Sequence, residues 1–215
     1  MADVVFTPLQ EKVFTAFSRN KLSQSFYFTG GTALSVFHYK HRESEDLDFF
    51  SETDFDNQPV IDFMSQLGKS LHIPVRFTQK YKTRIFELVK DDVLLLKIDF
   101  VHYPHARLET GVKYHHISVD TTKDIGANKI LTLNQRTEVK DFVDVFYLLK
   151  EYTIWDLLYA YEAKFNMKID LVLLASDFQK ANEFETLPIM KKDLTLTELK
   201  KFYQYETLKI GRRIV

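Results

Sequence analysis

The 215-residue chain contains no cysteine. Disulfides, thiolate metal centres and cysteine nucleophiles are thereby excluded, and the cytoplasm is the expected compartment because reducing conditions suit such a chain. Also missing is any run of about 18 consecutive apolar residues, the length a membrane-spanning helix needs. The opening Met-Ala-Asp-Val-Val-Phe has no basic segment followed by an apolar one, so neither a secretory leader nor a membrane partner is expected. Charge of one sign is lacking as well: 29 Lys and Arg face 30 Asp and Glu, a formal net charge of −1. With no global basic field, any nucleic-acid contact has to be local or carried by bound metal. No internal repeat or low-complexity segment occurs.

What the chain does have is apolar bulk. A hydrophobic fraction of 45%, with 19 Phe and 11 Tyr, suffices for a buried core in one large domain or one domain with an appendage. Periodicity predicts a helix over 8–19, with Leu9, Val13, Phe14 and Phe17 at helical spacing. A strand over 25–29 stopped by Gly30-Gly31, a helix over 32–39, a strand over 47–50 and a helix over 60–71 follow. Three β-rich segments come next, at 75–79, 83–89 and 93–102. Lys90-Asp91-Asp92 is a tight turn joining the last two in a hairpin. Beyond a loop rich in His and Tyr, helices are predicted over 120–133, 138–152, 153–165, 170–182 and 195–208, with a linker over 183–194. The expected fold class is α/β (α+β): a mixed sheet flanked by helices over 1–119, then a helical region over 120–215 that packs on it.

The stretch FTGGTALSVFHYKHRESEDLDFF, residues 28–50, needs more than a folding explanation. Two glycines between strand and helix let backbone N–H groups approach a ligand, and a helix N-terminus favours an anion such as phosphate. An ordinary turn uses the same residues. Asp46 and Asp48 alternate with Leu47 and Phe49, so in a strand both carboxylates share one face. Like charges so placed repel unless a divalent metal or a basic partner compensates. Asp99, inside the apolar run Val-Leu-Leu-Leu-Lys-Ile-Asp-Phe-Val, is a natural third ligand. Three carboxylates on neighbouring strands suit Mg²⁺, and two such ions about 3.5–4 Å apart clamp the attacking and leaving oxygens of a phosphoryl transfer.

Gly-Gly-Thr-Ala-Leu, His41-Arg42, Ser44 and Asp46-Leu47-Asp48-Phe49 together resemble the signature of the AbiEii/AbiGii toxin family, within the nucleotidyltransferase superfamily of DNA polymerase β-like fold. DIGANKILTLNQRTEVKDFVDVFYLL, residues 124–149, resembles that family's second block: a Lys on a helix, an Arg, then a basic-Asp pair opening the next helix. The resemblance implies a nucleotidyltransferase-like fold and a metal-dependent enzyme that moves a nucleoside monophosphate from an NTP to an acceptor hydroxyl. Mg²⁺ is the implied cofactor, as two ions, with Mn²⁺ as a substitute. Gly30, Gly31 and Thr32 would hold nucleotide phosphates, with Arg42 and Ser44 touching a phosphate or ordering the loop; Asp46, Asp48 and Asp99 would hold the metals. Lys129 would neutralise charge on the pyrophosphate leaving group, and Asp141 would position Lys129, Arg136 or the acceptor. Implied partners are an RNA acceptor, the 3′ end of tRNA, and an antitoxin protein encoded nearby. With only about 65 residues beyond the second block, the region that selects the acceptor is expected to be reduced relative to the family. Protein adenylylation and a non-catalytic nucleotide-binding module are the alternatives.

The same residues also have plain structural readings. Lys129 suits a solvated helix face, Asp141 a first-turn carboxylate favoured by the helix dipole, and Arg42 and Ser44 pairing with Glu43, Glu45 or the backbone. The four histidines at 102, 105, 115 and 116 lack the spacing of a compact zinc site and read as a surface loop. Lys209 to Arg213 reads as a solvated basic end that an RNA backbone would also fit. Trp155, Tyr159 and Tyr161 read as helix packing.

Overall fold

Thr7 starts the first helix by accepting a bond from the Gln10 N–H at 3.2 Å, while its own N–H donates to the Gln10 amide oxygen at 3.0 Å. This helix, α1 (Pro8–Ser18), buries Val13, Phe14 and Phe17. The structure, a computed structural model, describes residues 6–213, so most of the Met1–Phe6 segment used in the leader reading lies outside the described residues. Strand β1 (Tyr27–Thr29) runs directly into α2 (Gly30–Ala33), which continues as π-helical backbone over Leu34–Tyr39. The glycine pair therefore forms the first turn of a helix instead of a separate turn before it. There follow β2 (Asp46–Ser51), α3 (Asn57–Leu71), β3 (Val75–Lys80), β4 (Thr83–Lys90) and β5 (Val93–His102).

Two more strands, β6 (Lys113–Tyr114) and β7 (Ile117–Val119), lie where the sequence reads as irregular loop. Strands of two and three residues are too short to show a period, and their turn is made by His115 and His116 at φ 46° and 72°. The seven strands form one mixed sheet in the order β3-β4-β5-β2-β1-β7-β6. Strand β2 pairs parallel to β5 and β1 parallel to β7, the other pairs being antiparallel. The β4–β5 hairpin closes as expected: Lys90 faces Val93, and Asp91 and Asp92 take φ 50° and 60° to match the strand twist.

One face of the central strands is apolar. Phe28, Phe49 and Phe100 pack against Phe14 and Phe17 of α1, with ring centroids 4.5 Å apart for Phe17–Phe49 and 5.1 Å for Phe14–Phe28 and Phe17–Phe100. Burying such rings is the main apolar contribution to this core. The opposite face of the same strands carries Asp46, Asp48 and Asp99 at one end and Tyr27, Phe50 and Val101 beyond them.

The chain divides into two compact units. One holds the residues up to His38 with Ser44–Ala106 and Thr110–Thr121, and contains the sheet; the other holds Tyr39–Glu43, Arg107–Glu109 and the residues from Thr122 onward. The second unit contains α4 (Thr122–Gln135), α5 (Val139–Glu151), α6 (Ile154–Phe165), α7 (Leu171–Gln179) and α8 (Leu196–Gly211). Tyr203 of α8 is fully buried against Phe142 and Phe178, and its hydroxyl donates to the Phe142 carbonyl at 2.7 Å. The linker segment keeps residues 41–43 with the helices. The Glu43 N–H donates to the Ile189 carbonyl and the Lys191 N–H to the His41 carbonyl, both at 2.8 Å. Among the described residues no helix is long and apolar enough to cross a membrane.

Candidate active site

The polar face of the sheet is built by register. Parallel pairing of β2 with β5 sets Asp46 opposite Lys97 and Asp48 opposite Asp99, while antiparallel β4 sets Glu87 opposite Lys97. Because residues two apart share a face, Asp46, Asp48, Lys97, Asp99 and Glu87 all project to the same side. Leu47, Phe49, Ile98 and Phe100 go to the core, which fixes this register against a one-residue slip.

Gly30 has a specific reason to be glycine. Its φ is +78°, and a Cβ there would sit 2.1 Å from the Asp48 Oδ2. The missing side chain makes room for a carboxylate of the acidic face. Thr32 is fully buried; its hydroxyl lies 2.7 Å from the Ser44 hydroxyl and also bonds the Asp46 main-chain carbonyl. The Ser44 carbonyl in turn accepts from the Gln10 side-chain amide at 2.8 Å. Thr32 and Ser44 thus fasten the segment that delivers Asp46 into its strand.

Lys97 supplies the positive charge of this face. Its Nζ lies 2.8 Å from Asp99 Oδ2 and 3.5 Å from Asp46 Oδ2. Burial pulls the Lys97 pKa down, but Asp99, and then Asp46 and Asp48, outweigh it and push it up to about 12. Burial lifts the Asp99 carboxyl above its usual range, opposed by Lys97 and reinforced by Asp46 and Glu87. Asp99 Oδ1 is buried and has no hydrogen-bond partner among the described residues. An oxygen-only donor set with a surplus of negative charge and an orphaned carboxylate oxygen fits a hard divalent cation in chemistry. In arrangement, no three His, Asp or Glu side chains among the described residues converge as a ready metal cage, and Lys97 lies between Asp46 and Asp99.

The helical unit carries the other sequence-predicted residues as a buried ionic network. Asp144, fully buried on α5, accepts from His41 Nε2 at 2.8 Å, Arg42 Nε at 2.7 Å and Nη2 at 2.8 Å, and Lys129 Nζ at 2.6 Å. Asp141, one turn earlier on the same helix, accepts from Lys129 Nζ at 2.7 Å and Arg136 Nε at 2.8 Å. Burial alone would push both carboxyls up. Lys129, helped by Arg42 and His41 at Asp144 and by Arg136 at Asp141, instead holds them below the usual carboxylate range. Burial would lower the Lys129 pKa, but Asp144 and Asp141 raise it. For His41 burial wins over Asp144, so its imidazole is held neutral, donating Nε2–H to Asp144.

The structure thus gathers Gly30, Gly31, Thr32, Ser44, Asp46, Asp48 and Asp99 in the sheet unit, and Arg42, Lys129 and Asp141 in the helical unit. Sequence reasoning missed Lys97, Glu87 and Asp144. The signals were present: Lys97 is two residues before Asp99 in a strand, and Asp144 is three after Asp141 in a helix, which places each pair on one face.

A family model described as "Nucleotidyl transferase AbiEii toxin, Type IV TA system" matches residues 12–212. An uncharacterised protein of Aquifex aeolicus (strain VF5) is 31% identical over 140 residues; the match spans 63% of this chain and 63% of that protein, under two thirds of its length. MenT4, a nucleotidyltransferase toxin of Mycobacterium tuberculosis H37Rv, superposes with a TM-score of 0.58 at 14% identity, over 93% of this chain and 82% of that one. JHP933 from Helicobacter pylori gives 0.54 at 17% identity, over 95% and 91% of the two chains. At such identities the likeness to solved structures concerns the fold. With the family match running over nearly the whole chain, this protein belongs to the AbiEii nucleotidyl transferase toxin family of type IV toxin–antitoxin systems.

Proposed function

We propose that this protein is a metal-dependent nucleotidyltransferase that moves a nucleoside monophosphate from an NTP to an acceptor hydroxyl and acts as the toxin of a toxin–antitoxin pair. The observation that carries the reading is the acidic face: Asp46, Asp48 and Asp99 on paired parallel strands, with one Asp99 oxygen buried and unsatisfied. Family membership supports the reaction class.

In this reading Asp46 and Asp48 hold the divalent cation, with Asp99 beside them; Mg²⁺ is the proposed ion and Mn²⁺ a substitute. When bound, the cation supplies Lewis-acid stabilisation of charge on the phosphoryl oxygens. Gly30 and Gly31 are the proposed phosphate-holding residues, at the start of a short helix whose Gly30 lies against the Asp48 carboxylate. Thr32 and Ser44 act at one remove, holding the Asp46 segment in place. Lys129, Asp141 and Arg42 belong to the helical unit. The Lys129 ammonium is kept charged and oriented by two carboxylates, and Arg42 is fixed by Asp144.

The proposed acceptor is RNA, at the 3′ end of tRNA, and the proposed partner is an antitoxin encoded nearby. The test is incubation of the purified protein with Mg²⁺, each of the four α-labelled NTPs and total cellular RNA, beside the Asp46→Asn variant. Label on small RNA that disappears in the variant is expected. Label on protein would replace the RNA acceptor by a protein one, and full activity in Asp46→Asn would sink the assignment.

A further inference from the structure

We propose that Lys97 is a built-in cation of the acidic face: its ammonium takes the seat of one of the two divalent ions such a carboxylate set accommodates, so that the protein loads a single divalent ion on Asp46 and Asp48. The inference deepens the transferase reading and rests on it.

The first support is geometric. Lys97 Nζ bridges two carboxylates, at 2.8 Å from Asp99 and 3.5 Å from Asp46, as a shared metal ion would. The second is topological. Pairing of β2 with β5 sets Lys97 directly opposite Asp46 with Asp99 two residues on, so the Lys97 stem leaves the strand on the acidic face and its tip reaches both carboxylates without bending away. The hydrophobic partners of that register, Leu47, Phe49, Ile98 and Phe100, are all buried, so Lys97 cannot leave this face by a slip of the strand.

The third support is charge. Four carboxylates, Asp46, Asp48, Asp99 and Glu87, and the one ammonium of Lys97 leave three negative charges on this face, which one divalent ion reduces to one and a second would turn into a positive surplus. A second divalent ion between Asp46 and Asp99 would have to expel the ammonium from a side chain only 27% exposed, or sit against it. Like charges at that distance, partly shielded from water, repel strongly. A lysine also differs from a metal in what it can do there. It offers three N–H donors and no open coordination position, so it can fix Asp99 through Oδ2 but cannot polarise an acceptor oxygen as a Lewis acid. Asp99 Oδ1 is then left as a fixed hydrogen-bond acceptor on this face. Lys97 is in these terms a positioning residue, one that sets the metal count and holds Asp99.

The experiment counts ions. Mn²⁺ is titrated into the full chain with a non-hydrolysable NTP analogue present, and free Mn²⁺ is read by electron paramagnetic resonance, for the wild-type protein, Lys97→Met and Lys97→Arg. One bound Mn²⁺ is expected in the wild type and in Lys97→Arg. A second is expected in Lys97→Met, which keeps the apolar stem and removes the charge. Circular dichroism checks folding, and Lys97→Gln replaces Lys97→Met should the latter not fold. Two ions in the wild type, or one in both the wild type and the uncharged variant, would overturn the inference and leave the transferase reading standing. No bound Mn²⁺ and no nucleotide binding in any of them would overturn both.

Discussion

Asp144→Asn should strongly destabilise the helical unit, because it removes a charge that other buried charges depend on. The wild-type carboxylate is fully buried and receives His41, both bonds from Arg42, and Lys129, all at 2.6–2.8 Å. Asparagine keeps the volume, yet its NH₂ group would face donors, and Arg42 and Lys129 would be left with one carboxylate fewer in a region closed to water. Breaking a buried ion pair by removing one partner costs about 3–5 kcal/mol. In a chain of this size each kcal/mol lowers the melting midpoint by about 2–4 °C, so a fall of roughly 6–20 °C is expected. Two compact units can unfold separately, which makes a global signal ambiguous. The single tryptophan resolves this: Trp155 lies in α6, so its fluorescence during urea unfolding reports the helical unit. Lys168→Ala, which removes an exposed partner of Glu162 at 3.6 Å, serves as the control and should leave the midpoint unchanged. A loss below about 1 kcal/mol in Asp144→Asn would mean that the network is not the buried, mutually dependent unit argued above.

Other expectations follow from the same geometry. Gly30→Ala would force a left-handed conformation costing about 1–2 kcal/mol on a residue with a Cβ. That Cβ would also press on Asp48, so Mn²⁺ and nucleotide affinity by calorimetry should fall at least about tenfold, while the helical dichroism signal is kept; unchanged affinity would remove Asp48 from the ligand set. Acid should weaken the helical unit in two stages, read by urea midpoints of Trp155 fluorescence. His41 has a folded pKa below its unfolded value of about 6.5, so from there downward the unfolded chain takes up a proton that the fold refuses, and stability falls. Asp141 and Asp144 also have lowered folded values. Their stabilisation is present above about 3.9 and is lost as pH drops from there through the folded values. Lys129 has a raised value, so its contribution is complete below about 10.4 and is lost only as pH rises through the folded value. A midpoint that rises between pH 7 and 5 would contradict the neutral state of His41, and His41→Gln should abolish the upper stage.

The long elements were legible in the sequence because they repeat a local pattern often enough to be read. Helix α5 buries eight of its residues, starting with Asp141 and Phe142, and its span differs from the predicted one by a single residue at each end. The β4–β5 hairpin was legible from two adjacent aspartates between alternating runs. The β6–β7 hairpin was not, since Ile117–Val119 offers too few residues for a period. Nor was the membership of residues 39–43 and 107–109 in the helical unit. The first depends on hydrogen bonds to the 189–191 segment, and the second on the Leu108 and Glu109 N–H groups donating to the Asp124 carboxylate at 2.9 and 3.1 Å. Those contacts join positions far apart in the chain, and no local pattern announces them.

For the candidate site the division is similar. By itself the sequence determined that Asp46 and Asp48 share a face, that Leu47 and Phe49 take the other, and that glycine precedes them, because strand alternation and the steric freedom of glycine act between neighbours. Only the tertiary structure decided which cations answer those carboxylates. Lys97 meets Asp46 and Asp99 through strand register, and Asp144 collects the neighbours His41 and Arg42 and the distant Lys129 from two places along the chain. Electrostatic partnership depends on distance in space and on exclusion of water, and both exist only once the chain has folded.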